Sequence, residues 1–306
     1  MDFDTGSSDF WVFNAQLPPS ATAGHEIYDP AKSSTFKLLQ GSTFNVSYGD
    51  GSFAFGPVGV DTVNIGGVTV TSQAIGLPTE VSRSFVGDTS SNGLVGLAFS
   101  SINTIQPIQQ RTFFANVLDS LDEPVMTATL RHGAPGAYEF GRIDSSQFQG
   151  DLQFADIDSS NGFWQFESAR FAIGNRGPQT ALGGSGSAIA DTGTSLMLVD
   201  EGVAGAYYSH VQGATFSESQ GGFIFPCDAD LPDLSVGVGP THMATVPGNF
   251  INFASTGESL NGQPLCFGGV QSGGAGSLQI YGDVFLKSQF VVFDAGKSSI
   301  GVAPQA

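Results

Sequence analysis

Residues 1–13 read MDFDTGSSDFWVF, and residues 188–200 read AIADTGTSLMLVD. Both contain Asp-Thr-Gly, then Ser or Thr, then Ser. In a chain with 42 glycines, a lone Asp-Thr-Gly is most often an ordinary turn. The pair is more specific, because a second feature repeats downstream of each copy. Leu94-Val95-Gly96 comes after the first copy, and Ile280-Tyr281-Gly282 after the second. Gly96 stands 92 positions after Asp4, and Gly282 stands 91 after Asp191. Two matched features at nearly equal spacing predict two similarly folded lobes, 1–148 and 149–306. A length of 306 residues accommodates two such units.

Between the turns the sequence reads mainly as strands. Runs of Val, Phe, Thr and Ser broken by Gly favour short strands and tight turns. In STFNVSYGDGSFAFG (42–56), Phe44, Val46 and Tyr48 alternate and Asp50-Gly51 supplies a turn, which predicts a hairpin. GVDTVNIGGVTV (59–70) predicts another, turning at Gly66-Gly67, and SQFVVFDAGKSSIGVA (288–303) a third. Two stretches have helical spacing. In RTFFANVLDSL (111–121), Phe113, Phe114, Val117, Leu118 and Leu121 share a face. In DEGVAGAYYSHVQG (200–213), Asp200 is placed to cap the start and Gly213 to end the helix. GNRGPQTALGGSGSA (174–188) reads as a Gly-rich loop. The expected fold class is mainly all-β, with a few short helices.

Charge narrows the function. The chain carries 28 Asp plus Glu against 10 Lys plus Arg, a net charge of −18. Such a polyanion is a poor partner for nucleic acid or an acidic membrane surface. Its self-repulsion fades as carboxylates protonate, so the composition suits work in acid; a soluble secreted protein of no special pH habit is the plainer reading. Cys227 and Cys266 are the only cysteines, and an even pair suits one disulfide in an oxidising compartment. Two separate buried thiols are the alternative. No apolar run approaches the roughly 20 residues of a membrane span, and the first residues lack the basic and apolar regions of a signal peptide. One glycosylation sequon occurs, Asn45-Val46-Ser47, a weak signal by itself.

The paired turns carry the chemistry. Apolar residues lead into each Asp. Gly6 and Gly193 lack a Cβ, so two loops can approach closely there, and Ser7 and Thr194 put hydroxyls beside Asp4 and Asp191. Two carboxylates held close do not both ionise readily, so such a pair keeps one proton in acidic solution. The charged member is then a base for water, and the protonated member an acid for a carbonyl oxygen. That is amide hydrolysis without a covalent intermediate, a metal or a cofactor. Asp2 competes for the role, but the second copy has Ile189 at the matching place, so Asp2 reads as a solvated or structural carboxylate. His25, His132, His210 and His242 are scattered without metal-ligand spacing. No Gly-x-Ser-x-Gly elbow and no P-loop Lys-Ser/Thr occur.

With DFDTGSSDFWVF, YGDGS, NGLVGLAFSSINT, AIADTGTSLMLVD and YGDVFLKSQFVVFD, essentially the whole chain resembles the pepsin-like aspartic proteases. The fungal acid proteases, such as aspergillopepsin and penicillopepsin, are the nearest likeness. The resemblance implies a bilobal fold of two pseudo-two-fold-related β lobes and an acid endopeptidase acting on an extended peptide or protein. It implies Asp4 and Asp191 as the catalytic pair, supported by Gly6, Ser7, Gly193 and Thr194. It implies Tyr48 as the tyrosine of a flap closing over substrate, with Trp11 bonding it. Gly49, Asp50 and Ser52 match flap positions that contact the substrate backbone, and an acid at Asp50 goes with acceptance of Lys beside the cleaved bond in fungal members. Phe85 and Leu94 match apolar walls of the main specificity pocket, and Cys227 and Cys266 match a C-terminal-lobe disulfide. No cofactor or metal is implied, and no nucleic-acid or membrane partner. Inhibition by pepstatin, a zymogen parent, a monomeric state and secretion to the extracellular space are.

Two departures stand out. Phe53, Phe55 and Pro57 sit where relatives have small or polar residues, which is expected to stiffen the flap or make its surroundings more apolar. Only Met1, Asp2 and Phe3 precede Asp4, where relatives have two or three short strands. The expectation is an N-terminally truncated chain, with Asp4 near a fraying end. A catalytically weak or inactive peptide-binding protein is therefore the alternative function.

Overall fold

The computed structural model describes residues 1–181, 184–274 and 276–306. The chain divides into two compact units: residues 1–122 with 159–163, and residues 123–158 with 164–306. Both are built mainly of strands. Helices are short, and the eight-residue Glu201–Tyr208 is the longest among the described residues. The mainly-β expectation therefore holds.

The first unit carries a seven-stranded sheet. Its strands are β1 (Asp2–Asp4), β2 (Phe10–Val12), β3 (Lys37–Ser47), β4 (Phe53–Ile65), β5 (Val68–Gly76), β6 (Glu80–Val81) and β7 (Gly93–Gly96). They run in the order β1-β7-β2-β5-β4-β3, with β6 paired to β4. The β3–β4 hairpin forms where alternation and the Asp-Gly turn predict it, with Ser47 opposite Phe53 and Val46 opposite Ala54. Gly51 closes that turn at φ 82°, a left-handed conformation that glycine adopts without penalty. The β4–β5 hairpin turns at Gly66 and Gly67, at φ 61° and 90°, as a two-residue hairpin turn of this hand requires. Inward side chains, among them Trp11, Phe13, Phe44, Val46, Ala54, Val58 and Leu94, make one apolar cluster. Each fully buried Val, Leu or Phe contributes about 1.5–3 kcal/mol over its exposed state.

The second unit centres on strand Gln289–Asp294, buried at every residue. It pairs with Val125–Thr129 on one side and, through the predicted third hairpin, with Ser299–Pro304 on the other. This sheet extends to Ser187–Ala190, Gln279–Tyr281, Met197–Val199 and Val270–Ser272. Cys227 and Cys266 form a disulfide at a Cα separation of 4.9 Å, in the separate sheet where Gly222–Pro226 pairs with Gln263–Gly268. Separate thiols are thus excluded.

Both helical expectations shrink in length. Residues 111–121 give Phe113–Val117, capped by Thr112 accepting from the Ala115 N–H at 3.2 Å, then a 3-10 turn at Leu118–Ser120. The second helix is Glu201–Tyr208, ending well short of Gly213. Asp200 precedes it but makes no capping hydrogen bond; its carboxylate accepts from the Ser185 N–H at 3.3 Å. Of the expected Gly-rich loop 174–188, Leu182 and Gly183 lie outside the described residues, and Gln179–Thr180 form a short strand against Arg170 and Phe171.

Candidate active site

Asp4 ends β1, which lies parallel to β7 with Asp4 opposite Gly96. The expectation of a fraying Asp4 is corrected: the residue is buried, and its carbonyl accepts the Leu97 N–H at 2.7 Å. The Gly6 N–H donates to Asp4 Oδ1 at 2.8 Å, and the Ser7 hydroxyl donates to Oδ2. In the second unit Asp191 follows Ser187–Ala190, which lies parallel to Gln279–Tyr281. The Gly193 N–H donates to Asp191 Oδ1 at 2.9 Å, and Thr194 Oγ1 donates to Oδ2 at 2.6 Å. Each carboxylate thus receives one glycine N–H and one hydroxyl, and Asp191 is buried as well.

The surrounding strands repeat too. In the first unit β1 is parallel to β7, β7 antiparallel to β2, and β2 parallel to β5. In the second, Ser187–Ala190 is parallel to Gln279–Tyr281, which is antiparallel to Met197–Val199, which is parallel to Val270–Ser272. The recurring glycines have a steric reason. A Cβ on Gly96 would lie 2.5 Å from the Asp9 nitrogen, and one on Gly282 would lie 2.1 Å from the Thr194 carbonyl oxygen. Backbone cannot yield at such distances, so each glycine lets its turn seat on the neighbouring strand.

Beside the first turn, Trp11 Nε1–H donates to the Tyr48 hydroxyl at 2.9 Å. Phe85 meets both rings edge-on, with centroids 5.0 Å from Trp11 and 5.5 Å from Tyr48. Leu94 is buried in the same cluster. Burial, and then the charges of Asp4 and Asp9, push the Tyr48 phenol above its ordinary pKa, so it stays protonated as a donor. At the hairpin tip Asp50 Oδ1 accepts from the Ser52 N–H at 2.8 Å and from its hydroxyl at 2.6 Å. Gly49 is exposed. Asp2 is half-buried on β1, and burial raises its carboxyl against a hydrogen bond from Ser91. The disulfide lies in a different sheet from Asp191.

Sequence reasoning missed Asp9. It is 1% exposed and accepts from Thr104 Oγ1 at 3.0 Å, from the Thr104 N–H at 3.2 Å and from Asn103 Nδ2 at 3.3 Å. Asn103 Nδ2 also donates to the Ser8 carbonyl at 3.0 Å. Asp9 thereby ties the Asp4 turn to a segment almost a hundred residues away. The available signal was a carboxylate set against Phe10-Trp11, at the mouth of a buried strand.

Residues 1–305 match the eukaryotic aspartyl protease family. The chain belongs to that family. An aspergillopepsin A-like aspartic endopeptidase of Aspergillus fumigatus is 59% identical over 304 residues, covering 99% of this chain and 71% of the relative. Aspartic protease PEP3 of Coccidioides posadasii is 53% identical over all of this chain and 70% of its own length. Aspergillopepsin-1 of Aspergillus oryzae is 49% identical, covering all of this chain and 75% of the relative. With the family come the aspartic-endopeptidase class, a peptide substrate and the pepsin-like fold. Among the described residues, no helix of this aspartic protease is long and apolar enough to cross a membrane.

Proposed function

We propose that this aspartic protease hydrolyses peptide bonds in acid through a dyad of Asp4 and Asp191, one carboxylate contributed by each of the two units. The matched hydrogen bonding of the two carboxylates carries this reading: a glycine N–H on one oxygen and a hydroxyl on the other, in both units. These donors hold each carboxyl in place. The pair shares one proton. The charged member takes a proton from water as the oxygen attacks the peptide carbonyl, and the protonated member gives its proton to the carbonyl oxygen. A proton then passes to the amide nitrogen, and the C–N bond breaks. No covalent intermediate forms.

The β3–β4 hairpin is the flap in this reading. Tyr48, braced by Trp11, closes over an extended peptide, while Gly49, Asp50 and Ser52 face its backbone. Phe85 and Leu94 shape an apolar subsite, so apolar residues flanking the cut bond are preferred. Since Ser52 already occupies one Asp50 oxygen, the other is available to a Lys side chain of the substrate. The protein acts as a secreted monomer, which fits its charge of −18 and its disulfide. Hydrolysis of denatured globin at roughly pH 3–5, abolished by pepstatin, is the expected result. Tight pepstatin binding with no cleavage across that range would instead establish the peptide-binding alternative.

A further inference from the structure

We propose that Asn45 is an N-glycosylation site whose first N-acetylglucosamine packs on the exposed ring of Phe55. Asn45-Val46-Ser47 is the chain's only Asn-x-Ser/Thr sequence. On β3 the alternation turns Phe44 and Val46 inward, at 2% and 5% exposure, and leaves Asn45 and Ser47 exposed on the outer face. The register puts Asn45 directly opposite Phe55 and Ser47 opposite Phe53. Directly opposed residues on antiparallel strands share a face, about 5 Å apart at Cβ. Phe55 is 36% exposed, and its ring stacks on that of Phe53 at 6.1 Å and 19°. Its neighbour on the other side is the exposed Glu80.

A sequon alone is weak, and a single exposed aromatic needs no explanation. Here the only sequon and an outward-facing aromatic stack are cross-strand neighbours. The pyranose of N-acetylglucosamine has an apolar face of axial C–H groups that suits an aromatic ring. In the transfer, Asn45 Nδ2 bonds to C1 of a sugar carried on a lipid pyrophosphate. The C1–oxygen bond breaks, the lipid pyrophosphate leaves with the electron pair, and the amide loses a proton. The linked sugar then covers the Phe53–Phe55 pair from outside and steadies the hairpin, away from the inner face that carries Tyr48. In the native cell this rests on the proposed secretion, because that donor is met in the secretory pathway.

The test is expression behind a host secretion leader in yeast, followed by peptide mass mapping of Asn45. The expected result is predominant occupancy, lost in Asn45→Gln. A folded, secreted protein with bare Asn45 would overturn the site. Because the leader belongs to the host, this outcome does not depend on native secretion, which is read separately from the native culture medium. Trimming the glycan to one sugar should leave Tm about 2 °C above that of Asn45→Gln, a shift expected of a modest surface contact. Phe55→Ser should abolish that gain and Phe55→Tyr should keep it. An equal gain in all three backgrounds would overturn the packing on Phe55.

Discussion

Asp9 is a buried carboxylate whose partners, Asn103 and Thr104, are neutral. Burial outweighs the Thr104 hydrogen bonds and raises its pKa from an ordinary 3.8 to about 6. The folded state therefore holds this proton to higher pH than the unfolded chain does. Between about pH 4 and 6 the folded chain binds more protons, so this group's contribution to stability falls as pH rises, by an amount on the order of 3 kcal/mol. An asparagine keeps an acceptor for Thr104 but has no charge to bury. Asp9→Asn should gain stability relative to the parent as pH goes from 4 to 7, measured as the difference in Tm between the two proteins. A difference that does not change with pH would show that Asp9 is not the group that titrates. The same residue shows a limit of sequence reading. Nothing local to Ser8-Asp9-Phe10 reveals that Asn103 and Thr104 will reach it, because that contact exists only once β7 has docked beside β2.

At the scale of elements, the hairpins were legible because their turn chemistry is local. Gly51, Gly66 and Gly67 sit where positive φ is required, and inward and outward residues near the hairpin tip follow the pleat. Helix ends were less legible. Asp200 has the right residue type for a cap, but its carboxylate turns to Ser185, a tertiary choice that local preference does not encode. The Tyr48 hairpin depends on a long-range bond of the same kind, from Trp11. Trp11→Phe keeps an aromatic ring and removes the donor. Loss of one such bond, about 1 kcal/mol, should lower kcat/KM by roughly fivefold with little change in fold. Peptide-hydrolysis kinetics beside a circular dichroism melt would check this, and unchanged kinetics would remove Trp11 from the flap mechanism. The disulfide makes a contrasting case. It closes a separation of 39 residues in a sheet separate from that of Asp191. Cys227→Ser with Cys266→Ser should cost about 2–4 kcal/mol of stability in urea unfolding, while kcat at low temperature holds. A matching fall in kcat would tie that sheet to the chemistry.

At the scale of the molecule, the duplication was the most legible feature. Asp-Thr-Gly twice, each trailed at nearly the same distance by two apolar residues and a glycine, announced two units of one design. The structure gives the physical reason: Gly96 and Gly282 are the places where a turn rests on a parallel strand too closely for a Cβ. Less legible was how the chain is shared between units, since residues 159–163 join the first. Ser159-Ser160-Asn161-Gly162 signals a turn there, with Gly162 at φ 81°, but nothing local says which unit that turn joins. The duplication also frames the central proposal, that Asp4 and Asp191 act as one group. The most direct measurement is a kinetic cycle in acid with Asp4→Asn, Asp191→Asn and the double variant, on one peptide substrate. A shared dyad predicts that either single change abolishes hydrolysis as completely as both together, because residues acting as a unit are not additive. Losses that add, or a single variant that retains the parent rate, would contradict it.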